Sequence, residues 1–321
     1  MKSYVPRLAC LLSLALPALS ASSLHAQTSA DEKVPVPRFE RKGPLTVPVP
    51  DDVEIRPDLE YGTGGGRALK LDVVKPKTPA AQPRPLLVWI HGGAWSSGNK
   101  EGGVEGLLWF AQQGYVCATV EYRLSKEAPF PAQLHDVKAA LRYLRANADR
   151  FGLDPRRVGV WGSSAGAHLA ALLGTTGDVD SLDGTGGNPG VSDDVQAVCD
   201  WFAPTDLLSV GHDEADQVKH NEANSPESRL LGGAIQENRE KAIRANPMTY
   251  VSRNDPPFLV MHGDQDATVP IKQSEIFVKA LREADVEVTY LPVPGGGHGK
   301  GFDTARYRQT VLHFFDKHLK N

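Results

Sequence analysis

Residues 158–170, VGVWGSSAGAHLA, constrain this chain more than any other run. A short apolar strand pattern, 158–161, meets Gly162-Ser163-Ser164-Ala165-Gly166, and a helix-like stretch, 167–173, follows at once. A strand that becomes a helix within so few residues forces its central residue into a strained backbone conformation and holds that side chain out at the top of a sheet. Gly162 and Gly166 suit such a turn, because side chains two residues either side would collide where strand and helix pack closely. The G-x-S-x-G pattern makes Ser164 a candidate nucleophile, and the rest of the chain must supply its partners.

The chain has 321 residues, 40% hydrophobic and 23% charged, with a formal net charge of −4. That charge gives no electrostatic case for nucleic-acid binding. Lys2 and Arg7 precede an apolar run over 8–19, and small and polar residues follow through Ala26. This is the pattern of a secretory signal peptide over 1–26, with a run shorter than the roughly 20 residues a membrane span needs. Cys10 lies inside the apolar run, which argues against a lipoprotein anchor. Secretion or a periplasmic location is expected, and removal of 1–26 takes away Lys2 and Arg7, leaving a charge of about −6. Cys117 and Cys199 remain, both in apolar strand-like runs. Export would permit a disulfide, but two buried free thiols fit those surroundings better.

Residues 27–57 are rich in proline and charge, and 27–52 reads as an extended, partly disordered lead-in. A hairpin is expected from 53–61, a glycine-rich turn at 62–66 and 69–74. Strands are expected at 86–90, 116–122, 158–161, 195–202, 258–262 and 286–292. Helices are expected at 105–112, 131–145, 165–173, 271–283 and 303–318. Apolar strands alternating with helices predict an α/β domain over 53–321, its mostly parallel sheet covered on both faces. In the second helix Leu134, Val137, Leu141 and Leu144 recur at core spacing. Residues 177–194, rich in Gly and Asp, read as a solvated loop, and 206–250 as a polar insertion with helical pieces.

A serine at such a turn is followed in chain order by an acid and then a histidine. After the strand at 258–262, Asp264 and Asp266 compete for the acid. Asp264 directly follows the strand and Gly263 and suits a turn; Asp266, further along the loop, has the reach to a base. After the last strand, Gly295-Gly296-Gly297-His298-Gly299 offers a histidine with no apolar neighbours and a backbone that lets it reach. The other histidines have blander settings: His135 and His168 in helices, His212 and His220 in the insertion, His313 and His318 on the last helix. The early strand at 86–90 runs into His91-Gly92-Gly93-Ala94-Trp95. Backbone N–H groups converge on a developing anion only where side chains are absent or small, so Gly92, Gly93 and Ala94 mark an oxyanion loop. Gly93 and Ala94 are its preferred donors, with Ala165 as the third. His91 suits bracing that loop. Trp95 and Trp201 are candidates either for lining a pocket or for packing beneath the loops.

HGGAW, EYRL followed by PFPAQLHDVKAALRYLRAN, GSSAGAHLA, HGDQDATVP and GGGHG together resemble the α/β-hydrolase esterases. They most resemble the hormone-sensitive-lipase-like and feruloyl or acetyl-xylan-esterase-like carboxylesterases, with five motifs in order from about residue 69 to the end of the chain. The resemblance implies an eight-stranded, mostly parallel sheet, the triad Ser164, Asp266 and His298, and a small cap near 206–250. Ala94 stands where the commoner motif has a third glycine, and Ser163 where Asp is frequent. Both departures lean toward the small-cap, feruloyl-esterase-like branch.

The expected chemistry is hydrolysis of a small-molecule ester through an acyl-enzyme, with short-chain or aryl groups such as plant-wall acetyl or feruloyl esters, and no metal or organic cofactor in the scheme. A serine peptidase of the prolyl-oligopeptidase type shares the order of residues, but such enzymes carry a large N-terminal propeller and only about 50 residues precede the sheet here. A non-catalytic binding protein on the same scaffold would have lost the nucleophile or the base, and both positions are filled.

Overall fold

The computed structural model of the protein describes residue 1 and residues 30–38, 40–211 and 219–320. The export segment expected over 1–26 lies outside the described residues apart from Met1.

The chain opens with the hairpin β1 (Val53–Gly64) and β2 (Arg67–Pro76), turned at Gly65-Gly66. β3 (Arg84–Ile90), α1 (Glu101–Gln112) and β4 (Val116–Val120) follow. Next come α2 (Ala132–Ala146), the single turn α3 (Ala148–Phe151), β5 (Leu153–Ser163) and α4 (Ala165–Thr175). After β6 (Ala197–Trp201) the insertion holds the short α5 (Pro226–Leu231) and α6 (Arg239–Ala245). The chain finishes with β7 (Phe258–Gly263), α7 (Lys272–Glu283), β8 (Val288–Val293) and α8 (Ala305–Leu319). One eight-stranded sheet has the order β1-β2-β4-β3-β5-β6-β7-β8, antiparallel only where β2 meets β1 and β4. This is the α/β-hydrolase architecture expected from the motifs.

Alternation along the strands builds a core on each face. In β3, Leu86, Val88 and Ile90 enter the core shared with α2, α4 and α7, while Leu87 and Trp89 enter the one shared with α1 and α8. The α2 stripe of Leu134, Val137, Leu141 and Leu144 is fully buried in the first. Trp89, Trp161 and Trp201 pack edge to face in the second, with ring centroids 4.9 and 4.7 Å apart along the row. Cys117 and Cys199 are buried free thiols there.

Three segments differ from their sequence reading. α1 starts at Glu101, a turn before the expected 105, because Gly102 and Gly103 continue the helix instead of breaking it. The 177–194 loop is tethered, since the buried Lys138 ammonium on α2 reaches Asp183 at 2.6 Å and Asp193 at 3.1 Å, and Arg142 also pairs with Asp193. The proline-rich lead-in is packed against the domain: Val34 N–H donates to Asp303 at 3.0 Å, Arg38 N–H to Gly102 at 2.8 Å, and Val34 and Pro37 are buried.

Strands β3 to β8 run parallel, so the turns leaving their carboxyl ends share one edge of the sheet. Ser164 leaves β5 near the middle of that edge. The His91–Trp95 loop leaves β3 on one side, and the loops after β6, β7 and β8 leave on the other.

Candidate active site

Ser164 sits between the last residue of β5 and the first of α4 with φ 53° and ψ −122°. A non-glycine residue there costs on the order of 1–3 kcal/mol and persists only when its surroundings over-determine it. They do: a Cβ on Gly162 would lie 2.3 Å from Gly166 O, and one on Gly166 would lie 2.1 Å from Ile90 O. The Ser164 N–H donates to Trp201 O at 2.9 Å, tying the turn to β6.

The structure brings Ser164, His298 and Asp266 into one hydrogen-bonded chain. His298 Nε2 lies 2.9 Å from Ser164 Oγ, and His298 Nδ1 lies 2.8 Å from Asp266 Oδ2. An ionised carboxylate only accepts, so Nδ1 carries the ring proton and Nε2 is free to take the serine's. Asp266 Oδ1 accepts the N–H groups of Thr268 at 2.8 Å and Val269 at 3.0 Å. Burial alone would raise this carboxyl, but the hydrogen bonds from His262, His298 and Val269 outweigh it and hold the group well below the usual carboxylate range. Asp264 has a different task. Its Oδ1 accepts from Gly295 N at 2.8 Å and ties the β7 loop to the glycine-rich loop that carries His298.

Sequence reasoning passed over His262, the His of HGDQD. It is fully buried at the end of β7. Its Nε2–H donates to Val269 O at 2.9 Å and leans on Asp266 Oδ2 at 3.4 Å, while Nδ1 meets Ser274 Oγ at 2.7 Å. Phe202 was passed over as well. It has φ 52°, and its ring centroid is 4.7 Å from that of His298. Its signal was its place directly after a strand end, beside the Trp201 that drew attention instead.

On the other side of Ser164, Gly93, Ala94 and Trp95 take φ values of 107°, 54° and 53° in succession. Among the described residues the N–H groups of Gly93, Ala94 and Ala165 donate to no protein oxygen. The bare Gly92 lets this loop pass the elbow, since a Cβ there would lie 2.7 Å from Ser163 O. His91 braces the loop: its Nδ1–H donates to Gly92 O at 2.8 Å and its ring stacks on Tyr122 at 4.3 Å. Burial pushes the His91 imidazole down to about 4, so it is neutral near pH 7.

The pocket role considered for Trp95 needs correction. Its side chain is buried and does not border the cavity; its indole N–H donates to His168 Nδ1 at 3.2 Å. With Nδ1 accepting, the His168 proton sits on Nε2 and goes to Ala245 O at 2.7 Å. His168 thereby bolts the oxyanion loop, α4 and the insertion together. An aromatic residue after a tight turn can point in or out, and the left-handed backbone at Trp95 turns it in. Trp201 borders the cavity, although most of its ring belongs to the tryptophan row.

The cavity in front of Ser164 Oγ has a volume of about 790 Å3. The oxyanion loop, the elbow, Trp201, Phe202, Thr268 and the loop from His298 border it, together with Lys33, Val36, Pro37, Arg38 and Glu40 of the lead-in. Among the described residues none from the 206–250 insertion does. Buried residues of that insertion, such as Leu207, Leu230 and Ala242, join the core beside α4 instead.

The BD-FAE family model matches residues 71–281. Esterase LipC of Mycobacterium tuberculosis is 35% identical over 239 residues, covering 74% of this chain and 58% of the relative. The chain therefore spans little more than half the length of that relative. A solved truncated form of a carbohydrate esterase from gut microbiota is 30% identical with a TM-score of 0.76, covering 87% of this chain and all of the other. A bifunctional GH43-CE protein from Bacteroides eggerthii is 33% identical with a TM-score of 0.74, covering 83% of this chain and 35% of the other.

Proposed function

The chain belongs to the BD-FAE family, within the α/β-hydrolases, and from that premise we propose that it is a serine carboxylesterase working through an acyl-enzyme on Ser164. The observation that carries the proposal is the chain Ser164–His298–Asp266 at 2.9 and 2.8 Å, ending beside three unengaged amides in an open cavity.

As Ser164 Oγ attacks the ester carbonyl, its proton passes to His298 Nε2, and the buried Asp266 carboxylate stabilises the imidazolium. The carbonyl oxygen becomes an oxyanion facing the N–H groups of Gly93, Ala94 and Ala165, each worth about 3 kcal/mol by comparison with known oxyanion donors. His298 then protonates the departing alcohol. Water, deprotonated by the same imidazole, attacks the acyl-enzyme and frees the acid. Gly93 and Ala94 border the cavity beside Ser164, and their N–H groups are committed to no acceptor among the described residues, which supports this role.

The substrates proposed are short-chain or aryl esters borne by carbohydrates, with plant-wall acetyl and feruloyl groups first among them. The carbohydrate esterase relative and the aromatic border of Trp201 and Phe202 support this reading. The basic-then-apolar pattern of residues 1–26 supports export to the periplasm or beyond. The test is a panel of p-nitrophenyl esters, methyl ferulate and acetylated xylan, with fluorophosphonate labelling of the wild type and Ser164→Ala. Labelling confined to the wild type is expected, and equal labelling of the two would overturn the nucleophile. The amino-terminal mass of protein recovered from an exporting host checks the proposed cleavage.

A further inference from the structure

The lead-in holds the cavity in a way its composition does not suggest. Residues 32–38 and 40–41 run as a strap between the two loop systems of the site. At one end Lys33 bridges Thr304, Val34 N–H donates to Asp303 O at 3.0 Å, and Ala305 N–H donates to Glu32 O at 3.1 Å. Lys33 Nζ also meets Asp303 Oδ1 at 2.5 Å. These partners follow His298 by only a few residues. At the other end Arg38 N–H donates to Gly102 O, and the Arg41 backbone exchanges two hydrogen bonds of 3.0 Å with the Asn99 side chain. Those partners follow the oxyanion loop. Between the anchors, Val36, Pro37 and Arg38 border the cavity.

The strap has a seat made for it on α1. Gly102 and Gly106 lie four apart, on one face of the helix. A Cβ on Gly106 would stand 2.0 Å from Pro37 N and 2.4 Å from Val36 C, and one on Gly102 would stand 2.4 Å from Arg38 O. Glycine inside a helix costs roughly 0.5–1 kcal/mol against alanine. Here that cost accompanies a close approach by a segment more than 60 residues away in the chain.

We propose that this strap is a specificity-determining wall of the site: held on Gly102 and Gly106, it limits the size of the ester that reaches Ser164. The proposal rests on the esterase reading. It places the boundary of the substrate in a segment that the matched family region, 71–281, does not include. Among the described residues the insertion borders no part of the cavity, whereas the strap does.

Gly106→Ala is the discriminating change, because it favours the helix while pushing the strap off its seat, and the residue borders no part of the cavity. Three quantities are measured: the melting temperature, the rate of trypsin cleavage after Arg38, and kcat/KM for p-nitrophenyl octanoate relative to p-nitrophenyl acetate. The expected result is a folded protein, faster cleavage after Arg38, and an octanoate-to-acetate ratio raised at least fivefold, with acetate turnover within twofold of wild type. Val36→Phe, which leaves the seat alone and fills the cavity, is expected to lower the same ratio at least fivefold. Faster cleavage with an unchanged ratio in Gly106→Ala overturns the proposal. So does an unchanged ratio in Val36→Phe, whatever the behaviour of Gly106→Ala. Failure of the esterase reading looks different: the wild type itself hydrolyses no ester and resists fluorophosphonate.

Discussion

The elbow at Ser164 and the strap that borders the same cavity are both set by pairs of bare glycines, but against different neighbours. Gly162 and Gly166 press β5, α4 and the end of β3 together. β3 and β5 are neighbours in the interior of the sheet and α4 is buried against its face, so the turn cannot move unless buried elements part. Gly102 and Gly106 press a helix against a separate, partly exposed segment joined to it by the Arg38 N–H to Gly102 O hydrogen bond and by one from the Arg41 side chain to Glu101 O. Such a segment can open at a fraction of the global unfolding free energy. On the proposed function, the elbow side would govern the chemical step and the strap side which ester arrives. Substitutions on the elbow side should depress kcat, and those on the strap side should move ratios of kcat/KM between substrates.

The sharpest break of that division is Ser164→Ala, expected to lower kcat on p-nitrophenyl acetate by about 10^6-fold, as in serine hydrolases where loss of one member of the catalytic unit removes most of the rate. A variant retaining a tenth of the activity would move the nucleophile elsewhere. Asp266→Asn comes next, at about 10^4-fold in kcat, because an amide that can donate turns the His298 imidazole to the wrong tautomer. KM should change little, since the substitution sits behind the base and away from the cavity.

His262→Phe tests whether the chemistry side extends below the hydrogen-bonded chain. It keeps the volume of a buried ring and removes the contacts to Val269 O and Asp266 Oδ2. A displacement of the acid of even a fraction of an ångström should cost about 10- to 100-fold in kcat. The octanoate-to-acetate ratio should not move. If that ratio shifts while kcat holds, His262 belongs with selectivity and the division is wrong.

The same contrast explains what could be read from the sequence. Ser164, Asp266 and His298 each stand in a run whose glycines or strand endings announce a turn, and their chain order adds information that no single motif holds. Asp264 and Asp266 separated on reach alone, and the structure gives each a distinct partner. The strap was not legible, because most of its contacts are made by its backbone with residues far along the chain. Pro37 N and Arg38 O leave no mark in a side-chain pattern. The available hint was EGGVEG, two glycines at helical spacing in a segment with no turn to make. His262 was hidden differently: a histidine at a strand end looks the same whether it fills space or holds the acid.

Beside the elbow lies a group whose titration gauges how firmly that side is closed. Asp200, on β6 beside the elbow, is fully buried; its Oδ1 accepts from Ala203 N at 2.9 Å and its Oδ2 has no partner among the described residues. Burial raises this carboxyl to about 7, against the one hydrogen bond that lowers it. An unfolded aspartate titrates near 3.9. Between about pH 4 and 7 the native state therefore holds a proton that the unfolded state has released, and stability must fall as pH rises through that window. A shift of about three units corresponds to a loss of roughly 4 kcal/mol by pH 8. His91 and His168, both pushed down to about 4 by burial, act in the opposite sense and lose stability as pH falls below about 6.5. Asp200→Asn removes only the first contribution. The stability of that variant minus that of the wild type, from urea unfolding, should therefore be more favourable at pH 8 than at pH 5 by about 2.6 kcal/mol, because about 1.5 kcal/mol of the loss is already complete at pH 5. A difference independent of pH would mean that water reaches Asp200, and with it that β6 parts from its neighbours beside the elbow as readily as the strap parts from α1.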